Sequence, residues 1–187
     1  MHVSDITFAG WIHSITCLVA LAAGAVILVA EKGTPQHSML GSFYFWSMIV
    51  LNLSAFGIYR FDVAQFRPLV AGPHIFGLFH WFAVVGLTLV LIGRYAASRQ
   101  DKAFWAYTHP IAMILSYYDL IGGGVNEVFA RIDIFRVFAF PPGAHRQFGG
   151  SPVIGLVQMG AIALTILLLI YFGVRVAYHR AAATREI

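Results

Sequence analysis

Five stretches of this chain contain no Asp, Glu, Lys or Arg: Ile6 to Ala30, Met39 to Tyr59, His74 to Gly93, Phe104 to Tyr118, and Pro152 to Val174. A helix that crosses the ~30 Å hydrocarbon core of a bilayer needs roughly 20 mostly apolar residues. Charge-free runs of that order, repeated along one chain, leave few alternatives. Composition agrees: of 187 residues, 59% are hydrophobic and 11% charged, with mean hydropathy +0.78. A soluble domain carries about twice that share of charge. The expected fold is all-α, a polytopic helical membrane protein with about five transmembrane helices around a four-helix core.

The spans are expected at roughly 6–30, 39–59, 74–93, 105–124 and 153–174, in a single integral membrane domain covering residues 1–187. Pro73 suits the first turn of the third span. Pro110 falls near the start of the fourth, where proline is tolerated, while Asp119 and Gly122–Gly124 weaken its far end. Residues 125–152 are expected as an interfacial and loop segment: the first half alternates apolar residues with Arg131, Asp133 and Arg136, and the second is Pro/Gly loop.

The N-terminus lacks the basic region of a signal peptide, so the first span is expected to be retained. Cys17, the only cysteine, has no intramolecular disulfide partner. In a soluble protein a pI near 9.5 would suggest nucleic acid; here the basic residues fall between spans, where they act as topology signals and headgroup partners, and no nucleic-acid partner is expected. On the side opposite the N-terminus lie Lys32, Arg94, Arg99, Lys102, Arg175, Arg180 and Arg185; on its own side lie Arg60, Arg67, Arg131, Arg136 and Arg146. The excess favours an N-terminus outside and, for a bacterial protein, the cytoplasmic (inner) membrane.

The histidines fall into layers. His13 lies seven residues into the first span and His80 six into the third, each about 10 Å deep at 1.5 Å per residue. His37 and His109 mark the entrances of the second and fourth spans from the other side. Bis-histidine haem sites in helical bundles need two imidazoles on facing helices at matching depth, apolar walls and room for a flat macrocycle. Gly24, three turns beyond His13, Gly41, one turn from His37, and Gly77, just before His80, would supply room. Arg60, Arg67, Lys32, Arg99 and Lys102 stand where propionates would be held.

The same residues admit plainer roles. Glycine serves close packing in membrane helices, and His37, His74 and His109 could simply face headgroups. His13 and His80 are harder to dismiss, because ionisable groups within a span mark functional sites by default. His13, His80 and Asp119 form a rival constellation, a two-histidine, one-carboxylate site for non-haem iron, copper or zinc, with Glu127 as a supporting base. Aromatic clusters at 43–46, 79–82, 104–107 and 117–118 read as interfacial belts or bundle packing, with a minority able to line a haem or quinone pocket.

The block "EKGTPQHSMLGSFYFW" has the pattern Lys32-Gly33, three residues, His37, three residues, Gly41, two residues, Tyr44. It resembles an uncharacterised bacterial family of predicted multi-span membrane proteins, over roughly residues 9–131. The resemblance extends to His13 in the first span and His109 opening a later one. The family follows both span-opening histidines with arginine, where this chain has Ser38 and Pro110, so any role of those arginines does not carry over. In layout the chain also looks like dihaem b-type membrane cytochromes, an analogy of histidine placement.

The leading expectation is therefore a membrane-embedded b-type cytochrome-like electron-transfer protein, a possible transmembrane oxidoreductase with a quinone or electron-carrier partner. Haem b would be ligated by His13 with His80 and by His37 with His109. Two alternatives stand beside it: a non-haem metalloenzyme or metal-handling protein on His13, His80 and Asp119, and a non-catalytic subunit or assembly factor of a membrane complex. No nucleotide-binding glycine loop, Ser/His/Asp spacing or haem c attachment motif occurs.

Overall fold

The computed structural model describes residues 7–58, 78–99, 102–132, 134–135, 137 and 151–183. Of these, 92% are helical and none forms a strand. Five helices follow in order: α1 Phe8–Val29, α2 Pro35–Ile58, α3 Leu78–Ala97, α4 Ala103–Arg131 and α5 Pro152–Ala183. Four of them, α1, α2, the Phe79–Ala97 stretch of α3, and α5, are long and apolar enough to cross a membrane. α4 is long enough but more polar, carrying His109, Asp119, Asn126 and Glu127.

Two boundaries differ from expectation. α4 continues through Gly122–Gly124 to Arg131, beyond the expected end at 124, and Pro110 lies about two turns inside it. Glycine's weak helix propensity is a small bias that tertiary contacts override. Here α4 packs against α5, and Gln158 of α5 donates to the Gly122 carbonyl at 3.1 Å. α5 in turn runs to Ala183, not 174. At 32 residues it is about 48 Å long, so Arg175 ends the apolar run but not the helix. Of the segment after α4, residues 134, 135 and 137 are helical, and Ile134, Phe135 and Val137 are exposed.

The chain divides within α3 into two compact units, Met1–Thr88 and Leu89–Ile187. In the first, α1 packs against α2. α1 buries the small residues Ala20, Ala23 and Gly24, one helical stripe. α2 buries Tyr44, Met48, Leu51 and Ala55, spaced to share one face. Small residues on one helix let the backbones approach, and the larger side chains of the other fill the seam. In the second unit α4 packs against α5.

The turn between α1 and α2 accounts for the first residues of the KGxxxHxxxGxxY pattern. Lys32 Nζ donates to the carbonyls of Ile27 and of Leu28, two of the acceptors that a helix C-terminus leaves over. Gly33 adopts φ +80°, a left-handed conformation that glycine takes without a Cβ clash. The Thr34 hydroxyl then accepts from the His37 backbone N–H at 3.2 Å, capping α2, with Pro35 at its first position.

Hydroxyls inside the apolar helices bond back along their own helix. Thr16 donates to Ile12, Thr88 to Val84, Ser116 to Met113 and Thr165 to Ala161. Each proton is thereby satisfied without water.

Candidate functional site

His13 and His80 both belong to the first unit, and both rings meet α2. His13 Nδ1 lies 3.2 Å from the Leu51 carbonyl oxygen and 3.0 Å from Ser54 Oγ. The His80 ring is tilted by 42° against Phe56, with centroids 5.5 Å apart. The contacts fall within about 8 Å along the α2 axis, but Phe56 lies about 140° from Leu51 and about 200° from Ser54 around the helix, so the two rings meet different faces of α2. His80 has no solvent exposure; His13 is half-buried, on the α1 face that meets α2 and also carries Gly24.

The contacts of His13 also assign its proton. A carbonyl oxygen only accepts, so Nδ1 donates to Leu51, and the neutral ring then carries its lone pair on Nε2. The second unit repeats the arrangement. His109 Nδ1 donates to the Gly93 carbonyl at 2.8 Å, again placing the lone pair on Nε2. An imidazole tied through Nδ1–H to a carbonyl, with Nε2 as the donor atom, is the usual state of a metal-ligating histidine.

His37 and His109 sit differently in their helices. His37 occupies the first turn of α2, about 3 Å from its start, and its Nδ1 is enclosed away from solvent. His109 lies about 9 Å inside α4, which begins at Ala103. His109 thus lies deeper in its helix than His37 does; α4 starts one residue ahead of its charge-free run, with Lys102 as N-cap. His37 belongs to the first unit and His109 to the second. Beside Gly41, one turn past His37, a Cβ would meet nothing within 4 Å, so this glycine leaves open space.

Asp119 is half-buried and belongs to the second unit, in the continuous part of α4 rather than at a weakened end. Lys32 is engaged with the α1 carbonyls, so its described role is structural. Arg99 stacks over the Tyr95 ring at 5.5 Å. Arg60, Arg67, His74 and Gly77 lie outside the described residues. Neither unit, among the described residues, gathers three or more His, Cys, Asp or Glu in a group able to hold a metal ion. A bis-imidazole haem asks for only two protein ligands.

Five residues of these contacts carried no mark in the sequence: Leu51, Ser54, Phe56, Gly93 and Gln158. Ser54 and Gln158 are polar residues within charge-free runs, and that was the available signal. Gly93 stood at the end of its run and offered none. No protein-family model, curated protein or solved structure matches the chain. The fold and its four long apolar helices define an all-α integral membrane protein.

Proposed function

We propose that this protein is a membrane-embedded, b-type cytochrome-like electron-transfer protein, akin to the KGxxxHxxxGxxY family, in a bacterial cytoplasmic membrane with its N-terminus outside. The observation that supports the reading is that His13 and His80 both contact α2 within about 8 Å along its axis, with the His13 lone pair on Nε2. His13 and His80 would hold one haem; His37 and His109 are each candidate ligands of a further haem, α4 serving as a further membrane crossing. Haem, when bound, supplies a one-electron couple whose potential follows its axial ligands and their hydrogen bonds.

The chain's own residues do the rest. Leu51 and Gly93 orient the imidazoles of His13 and His109 through their carbonyls. Phe56 shields His80 from water. Gly41 leaves space one turn past His37. Electrons would pass between a quinol or soluble carrier on one face and an acceptor on the other.

The test is the visible spectrum of protein purified from haem-replete cells, before and after dithionite. Reduced b-type bands are expected. A colourless protein with stoichiometric non-haem iron, copper or zinc, lost in Asp119→Ala, would replace this reading with the metal site. A colourless, metal-free protein recovered with fixed partners would instead make it a subunit or assembly factor.

A further inference from the structure

We infer that Ser54 is a positioning residue for His13: its hydroxyl, turned by the Leu51 carbonyl, holds the imidazole proton on Nδ1 and presents Nε2 as the ligating atom. The inference deepens the haem reading and rests on it for the identity of what Nε2 meets.

The argument starts with Ser54 itself. Its Oγ lies 2.7 Å from the Leu51 carbonyl oxygen, one turn back on α2. That carbonyl only accepts, so the single hydroxyl proton is committed to it. A serine hydroxyl has one proton and two acceptor lone pairs. What Ser54 offers His13 at 3.0 Å is therefore a lone pair. The other α2 atom at Nδ1, the Leu51 oxygen at 3.2 Å, is also an acceptor. An unprotonated Nδ1 would set a third lone pair against these two. The Nδ1–H tautomer removes the conflict and makes a three-centre hydrogen bond.

The back-bond from serine to the i−3 carbonyl is ordinary for a hydroxyl in an apolar helix. Here it has a second effect, because it fixes which way the hydroxyl points. His109 Nδ1 meets the Gly93 carbonyl, whereas His13 Nδ1 meets a carbonyl and an oriented hydroxyl. Such a partner on Nδ1 sets the ring's orientation and raises its basicity as a ligand through Nε2.

The experiment uses the full-length chain, labelled with nitrogen-15 at histidine and reconstituted in bilayers under dithionite. The His13 signal is identified by its loss in His13→Asn. Wild type and Ser54→Thr are expected to carry the proton on Nδ1. In the fraction without bound metal, Ser54→Ala is expected to raise the Nε2–H population about fivefold, the effect of one hydrogen bond. In the haem-bearing fraction, Ser54→Ala raises the midpoint potential, since the imidazole becomes a weaker donor, and Ser54→Thr does not.

A wild-type His13 protonated on Nε2 overturns the inference whatever the variants do. So does a Ser54→Ala protein whose His13 nitrogen shifts match wild type. Absence of haem bands removes the haem reading alone, because the tautomer is measured with or without haem.

Discussion

His109 of α4 donates through Nδ1 to the backbone carbonyl of Gly93 in α3, at 2.8 Å. The contact is possible because position 93 has no side chain. A Cβ there would come within 2.5 Å of Met113 Sδ and 3.0 Å of its Cγ. Gly93 thus serves α3 twice, by exposing a carbonyl and by leaving room for Met113. Gly93→Ala is expected to destabilise the protein by about 1–3 kcal/mol, the range for overpacking. Because Met113 is the obstacle, Met113→Ala in the same chain should relieve much of that cost. Thermal unfolding in detergent of both single variants and the double variant reads the coupling; strictly additive losses would contradict the packing described.

Gly33 sits at φ +80° in the α1–α2 turn, with open space around it. Its requirement is conformational rather than steric. Gly33→Ala should cost about 1–2 kcal/mol, the strain of a left-handed L-residue. Gly33→Asn should cost less, because Asn visits that region more readily. Unfolding midpoints of the two variants should fall in that order.

Gly41 separates structural from functional need. A Cβ there touches nothing in the chain, and alanine is a better helix former by about 1 kcal/mol. Gly41→Ala is expected to leave the unfolding midpoint unchanged or raised. If a planar group lies beside His37, the same substitution lowers the haem content per chain. Pyridine haemochrome assay against protein concentration measures it; unchanged haem content would clear Gly41 of that role.

Gln158 lies within the apolar α5 and bonds Gly122 of α4. Interhelical hydrogen bonds in membranes are worth about 0.6 kcal/mol on average, so Gln158→Leu should lower stability only slightly. A loss several times larger, in titration with a denaturing detergent, would mean that this amide supports more than one bond.

Much of the fold was legible because lipid makes a strong demand. Charge-free runs located all five helices, and the α1 run matched its helix within two residues at each end. Helix ends beyond the charge boundaries were not legible, since Arg175 stops burial in hydrocarbon without stopping α5. Gly122–Gly124 read as a weak end because propensity carries no information about α5 packed alongside. The depths expected for His13 and His80 came from counting residues. Their partners did not: Ser54 and the Leu51 carbonyl are ordinary in sequence, and only the approach of α1 to α2 gives them a histidine to hold.

The central claim is that His13 and His80 serve one bound group. It is tested most directly by the dithionite-reduced visible spectra of wild type, His13→Ala and His80→Ala, purified alike from haem-replete cells. Wild type should show b-type bands, and each variant should lose the same share of them, with no further loss when both are changed. Variants that keep the full wild-type spectrum, or a wild type without bands, would contradict it.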